Sequence, residues 1–182
     1  MSEQNITIEE FEQKFVARLE TRKLDYNALS FQEQVSPAYR RAQCRYVGTG
    51  GVATTDSNVI QAGNFTLSNM YLPVGAEGPL HLHSDVEEVF FVIKGKIVAL
   101  VQLGDTVHEI PLGERDCIWS PPGYYRGVRN VGDEEAIMAV MLGAPKPQIP
   151  TYPEGSDLEA IRVERAKAKA AAAAAAAAEE QK

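Results

Sequence analysis

From Gln43 to Leu142 the chain is written in short apolar runs broken by glycine, proline and aspartate, with no helical period between them. Phe65-Thr66-Leu67-Ser68-Asn69-Met70-Tyr71-Leu72 alternates in the two-residue period of a half-buried strand. Arg45-Tyr46-Val47 leads into a break from Gly48 to Gly51, and Val59-Ile60 precedes Gly63. Ile97 to Leu103 and Val107 to Leu112 flank a turn at Gly104-Asp105, and Ala136 to Leu142 closes the series. A parallel sheet would need crossover helices between its strands, and none is written here. The pattern therefore predicts an all-β antiparallel sandwich or barrel over residues 43–144.

Both ends read differently. Thr7 followed by Glu10 has the form of a capping box. Ile8, Phe11, Phe15 and Leu19 recur at helical spacing, predicting an amphipathic helix to about Thr21 whose apolar stripe packs on the barrel or on a second subunit. Leu24 to Ala42 reads as short helix and loop broken at Pro37, completing an N-terminal arm over residues 1–42. After the barrel, a proline-rich connector over residues 145–156 should run extended across the surface. Residues 157–182 become an alanine tract, which favours helix but offers little area to bury.

One constellation inside the strand region carries chemistry. His81-Leu82-His83 sets two imidazoles on one face of a strand, because residues two apart project the same way. The chain turns at Ser84-Asp85-Val86, and Glu88 then opens the strand that Gly95 ends. Two imidazoles and a carboxylate converging on a point form a facial ligand set for a divalent metal with positions left open. Phe90 and Val92 share the face of Glu88 and should line the same space as apolar wall. Glu87 should point the opposite way, Asp85 reads as a turn residue, and His108 as an exposed residue of its hairpin.

Gly75, His81, His83, Glu88 and Gly95 stand at the spacing of the first signature of the cupin superfamily, which this chain resembles. The stretch from Asp116 to Asn130 resembles the second signature, with the aspartate, the Pro-x-Gly at Pro121-Pro122-Gly123 and the final asparagine in register. Arg115 stands where that pattern has a glycine, and Arg126 where it has a third histidine ligand. The resemblance covers roughly Phe65 to Leu142. It implies a double-stranded β-helix, or jelly-roll, barrel and a homodimer; the N-terminal helical arm and the C-terminal Ala-rich helix lie outside it.

Arg126 decides how the site would work. A guanidinium has no acceptor and keeps its proton, so it cannot ligate a metal as imidazole does. Three readings stand open. Arg126 clamps an anionic substrate beside a metal held by His81, His83 and Glu88; or it pairs with Glu88 and leaves a metal-free pocket; or it points out of the barrel mouth. By the strand period Tyr124 shares its face, so Arg126 and Tyr124 are the candidate catalytic pair. Phe90 and Trp119 join them as candidate substrate contacts, since aromatic walls can stack on a planar ligand.

Composition limits the remaining classes. The chain of 182 residues, 45% hydrophobic, suits one well-buried core. Its formal net charge of -7 argues against nucleic acid or an anionic membrane as partner. No run reaches the ~18–20 apolar residues of a membrane span. Met1 to Asn5 lacks the character of a signal peptide, so a cytoplasmic setting is expected, with Cys44 and Cys117 as reduced thiols and Cys117 buried. The favoured function is a small-molecule enzyme using a divalent metal, iron (Fe2+) before zinc (Zn2+) or manganese (Mn2+), and the cupin resemblance, not these residues, implies a dioxygenase of an aromatic or organic acid. A lyase, isomerase or dehydratase, metal-dependent or metal-free, is the alternative, and a non-catalytic small-ligand-binding barrel the third.

Overall fold

Strands in this chain form wherever the alternation of inward and outward side chains is clean. The computed structural model describes residues 6–48 and 59–179; the break expected at residues 49–51 and the last residues of the tail lie outside them. Nine strands form two antiparallel sheets facing each other. Strands β1 (Ala42–Val47), β2 (Thr66–Leu72), β4 (Glu88–Lys94), β7 (Cys117–Ser120) and β9 (Ala136–Leu142) make one sheet in the order β1-β2-β9-β4-β7. Strands β3 (Glu77–His81), β5 (Ile97–Leu103), β6 (Thr106–Leu112) and β8 (Arg126–Asn130) make the other in the order β3-β8-β5-β6. Apart from the β1–β2 and β5–β6 pairs, sequence neighbours alternate between sheets in the manner of a jelly roll, the fold class expected from the sequence.

Burial follows the two-residue period. On β2 the side chains of Thr66, Ser68, Met70 and Leu72 are buried, and on β4 those of Glu88, Phe90 and Val92. Met70, Leu72, Phe90, Val92, Ile97 and Met138 form the heart of the core between the sheets. Strand β6 lies at a sheet edge and is exposed almost throughout, which is where Pro111 and His108 can sit without breaking the ladder. Asn130, buried at the end of β8, donates to the carbonyls of Leu72, Pro73 and Glu134 while its Oδ1 accepts from Gly132 N–H. One side chain thereby closes both turns at that end of the barrel.

Two positions of the signature motifs have direct backbone reasons. Gly95 has φ +85°, and a Cβ there would stand 3.1 Å from Ala136. Arg115 also holds a positive φ, 71°, which explains why the second signature has glycine at this point.

The arms depart from expectation in several respects. The capping box forms, with Thr7 N–H donating to Glu10 and Glu10 N–H to Thr7 Oγ1. Helix α1, however, spans Ile8–Phe15 and not residues up to Thr21, where a separate short 3-10 turn, Leu19–Thr21, follows. Among the described residues its apolar stripe is left largely uncovered: Ile8, Phe11 and Leu19 are exposed, and a helix with little tertiary contact gains little from further turns. The proline-rich connector runs extended but is bound down. Leu82 and Thr151 exchange backbone hydrogen bonds of 2.8 and 3.0 Å, Gln148 N–H donates to Asp85, and Tyr152 is buried. Helix α2 (Asp157–Glu179) docks by its first turns, through buried Leu158 and Arg165 stacked over the Phe31 ring, and its alanine tract as described is exposed. Cys117 is exposed, contrary to expectation, because it pairs with Phe91 on the outer face of the sheet. No helix among the described residues is long and apolar enough to cross a membrane.

Because a non-glycine residue in the left-handed region is strained by about 1 kcal/mol, Arg115→Gly should raise stability by somewhat less than that, the added freedom of the unfolded chain offsetting part of the gain. Urea unfolding of the two proteins side by side measures it; a loss of stability would mean that Arg115 makes contacts worth more than its strain.

Candidate metal centre

The strands deliver three ligand-bearing side chains to one end of the barrel. His81 ends β3, His83 follows two residues later on the same face, and Glu88 opens β4 on the opposing sheet. One ligand atom from each lies within 4.8 Å of the other two. The imidazole rings stand edge to face, centroids 5.5 Å apart. His81 Nδ1 lies 2.9 Å from the Pro79 carbonyl, a contact that needs a proton on Nδ1. That leaves Nε2 facing Glu88 Oε2 at 3.4 Å, the orientation that a hydrogen-bonded ligand histidine adopts. His83 Nδ1 is buried without a hydrogen-bond partner.

Arg126 enters from β8, directly opposite His81 in the β3–β8 register. Its side chain is 1% exposed, its Nε donates to Glu88 Oε2 at 2.7 Å, and its Nη1 donates to the Tyr124 carbonyl. Arg126 Nη2 is buried without a partner. Of the three dispositions open from the sequence, the side chain takes the pairing with Glu88. That pair binds one carboxylate oxygen, Oε2, and does not by itself exclude a metal from the two imidazoles and the remaining oxygen.

The electrostatics suit ligands. Burial pushes the His83 imidazole down to about 4, with His81 and Arg126 adding to the effect and Glu88 opposing it, so His83 is neutral at physiological pH. Burial alone would raise the Glu88 carboxyl, but His81, Arg126 and His83 outweigh it and hold the group at about 2, ionised. Neutral imidazole and ionised carboxylate are the protonation states that bind a cation. The unpartnered His83 nitrogen and the oriented His81 are the observations by which these residues fit a divalent ion.

The triad lies in the wall of a cavity of about 170 Å³. Phe90, Met70, Met138 and Val140 supply apolar wall from the barrel, and Pro147 to Pro150 with Tyr152 cover it from the connector. Among the residues named from the sequence, His81, His83, Glu88 and Phe90 line this space. Trp119, Tyr124 and Arg126 do not. Trp119 is 57% exposed on the outer face, donating to Glu87, because it pairs with Val89 and not with Glu88 in the β4–β7 register. Tyr124 is 46% exposed, and its backbone carbonyl, not its ring, meets Arg126.

The cavity also holds Gln32, Arg41, Gln43 and Arg45, which motif reading passed over. Arg41, Gln43 and Arg45 lie two residues apart along the start of β1, so a polar face at strand period was the available signal.

Residues 68–142 match the cupin domain family. The barrel of this chain is a cupin domain. No curated protein matches the chain. Among solved structures, a protein from Thermus thermophilus is similar at 26% identity over 49% of this chain and 80% of its own, TM-score 0.43. Oxalate oxidase in complex with glycolate is similar at 22% identity, with 51% of this chain and 50% of that one covered, TM-score 0.45. The Schizosaccharomyces pombe Cnp3 cupin domain is similar at 17% identity over 57% of this chain and 64% of its own, TM-score 0.43. The matched span thus amounts to about half the length of the oxalate oxidase chain.

The two shifted groups set an acid dependence. Both bind a proton more readily unfolded than folded, so stability rises with pH across each interval. Metal-stripped protein should keep a constant melting temperature above pH 6.5, lose stability from 6.5 toward 4 as the unfolded chain protonates His83, and lose more from 4.5 toward 2 through Glu88. Melting curves across this range, with His83→Gln alongside, check the assignment: the variant should lack the first stage, and an unaltered first stage would contradict it.

Proposed function

We propose that this cupin is a metal-dependent enzyme acting on a small aromatic or organic acid, with divalent iron held by His81, His83 and Glu88 and dioxygenation as the reaction. The observation that carries the reading is the convergence of two imidazoles and a carboxylate in the wall of a largely apolar cavity. Iron in a facial set of three protein ligands supplies open positions at which substrate and oxygen can meet. The chain's own residues do the remaining work. Pro79 orients His81, and burial keeps His83 neutral. Arg126 offsets the charge of Glu88 and fixes which of its oxygens stays available. Phe90 and the methionines keep water from the reacting atoms.

A second reading has its own observation. Arg126 already engages Glu88, and a pocket so neutralised suits metal-free acid–base chemistry, with His81 as the proton carrier and Arg126 polarising the substrate. The homodimer belongs to the same proposal. Phe91, Ile93, Trp119 and Met141 leave an apolar outer face on β4, β7 and β9, suited to a second copy of the chain. Phe91→Lys should convert a dimer to a monomer in sedimentation velocity; a wild type already monomeric at high concentration would contradict it.

Elemental mass spectrometry on untagged protein should find near-stoichiometric iron, lost in His81→Ala with the circular dichroism unchanged, since the barrel core lies below the site. Arg126→His should bind metal about tenfold or more tightly in chelator competition, because it frees Glu88 and adds an imidazole. Wild-type protein that takes up no divalent ion after reconstitution would favour the metal-free reading.

A further inference from the structure

Arg41 is a buried cation that no carboxylate among the described residues touches; Glu33 and Glu88 act on it only from a distance. It is 7% exposed and lines the cavity with the metal triad, just ahead of β1. Its Nη1 donates to the carbonyls of Tyr39 and Glu77 at 2.8 and 3.2 Å. Among the described residues no carboxylate forms an ion pair with it, and no partner meets Nε or Nη2, the edge of the guanidinium that pairs side-on with a carboxylate. Gly78 lets β3 pack closely beside that edge: a Cβ there would stand 3.0 Å from Val128 Cγ2, 3.7 Å from Arg41 Nε and 3.9 Å from Cζ. A buried charge lacking an opposite charge is costly, and a ligand anion is the usual remedy. Arg126 is in the opposite position, already committed to Glu88.

Gln32 and Tyr152 extend the polar wall. Gln32 is 3% exposed, lines the same cavity, and has a buried Oε1 with no partner. Its Nε2 donates to the Tyr152 hydroxyl at 2.7 Å, so that hydroxyl keeps its own proton for another acceptor. Burial pushes the Tyr152 phenol up, so the proton stays on at neutral pH. The wall therefore presents a cation, a hydroxyl donor and an amide acceptor, all from segments outside the matched cupin span of residues 68–142.

We propose that Arg41, with Gln32 and Tyr152, is the subsite that takes the substrate's carboxylate, and that Arg126 is not. The substrate class is a small monocarboxylic acid whose carboxylate lies at Arg41 and whose apolar body reaches toward the triad. A hydroxyl or amine near the carboxylate is the group that would satisfy Gln32. The inference rests on reading the cavity as a substrate site, but does not need a metal to be bound there.

The test is isothermal titration calorimetry with monocarboxylates from butyrate to benzoate and phenylacetate, with benzamide as the uncharged control. Wild type, Arg41→Met and Arg41→Lys are each measured metal-stripped and iron-loaded. At least one carboxylate should bind stripped wild type ten times more tightly than the control. Arg41→Met should lose that preference while binding benzamide as before, and Arg41→Lys should keep part of it. A merely structural Arg41 would lower the melting temperature of both variants without altering the preference of carboxylate over amide, and that result overturns the proposal. So does a panel in which no carboxylate binds the wild type. Binding that appears on iron loading alone and ignores Arg41 supports the metal centre while overturning the subsite.

Discussion

The Glu88 carboxylate is the point on which this end of the barrel turns. It is buried, ionised, and claimed from two sides, by His81 on β3 and by Arg126 on β8. A lone carboxylate could not stay charged at such a depth, because burial disfavours the ion. Removing Arg126 without replacement would leave that charge to the imidazoles or to a metal. Removing Glu88 would strand Arg126, which is 1% exposed and has no other carboxylate among the described residues. The cross-strand register that sets His81 opposite Arg126 is therefore part of the site as much as the side chains are.

The second constraint is what lines the cavity. The barrel supplies a floor of apolar side chains, and segments from outside the cupin span supply other walls: the turn carrying Gln32, the start of β1, and the connector pinned by Leu82–Thr151 and by Tyr152. These pieces give the cavity a polar pole around Arg41, in a wall otherwise formed by the triad, apolar side chains, and Thr66 and Ser68 of β2. A shared cupin barrel with different flanking segments would keep the ligand set and lose the Arg41 pole, which is how one fold serves many ligands.

How much of this the sequence showed depends on the range of the interaction involved. The ligand set was legible because a two-residue step puts His81 beside His83, and their spacing to Gly75, Glu88 and Gly95 matches a known signature, all of it local in the sequence. The jelly roll was legible for the same reason, through turn residues and alternation. Trp119 was assigned to the wrong side because its orientation depends on pairing with Val89 across β4 and β7, and one residue of register reverses a face. The disposition of Arg126 depended on a partner 38 residues away. Arg41 was passed over since a lone arginine is ordinarily solvated; its burial comes from Gly78, Tyr39 and the connector, none of which is a local signal. The amphipathic arm shows the reverse case, a strong local pattern with no receiving surface among the described residues, which leaves the second subunit of the two partners expected for it.

The central claim is that His81, His83 and Glu88 form one metal centre despite Arg126. Anomalous diffraction from crystals grown with ferrous iron under anaerobic conditions tests it most directly. A single strong peak is expected at about 2.0–2.2 Å from a nitrogen of each histidine and from an oxygen of Glu88, the bond lengths general for such ligands, with Arg126 still against the carboxylate. Well-ordered side chains with no peak among them, and Arg126 and His81 closed on Glu88 alone, would contradict it.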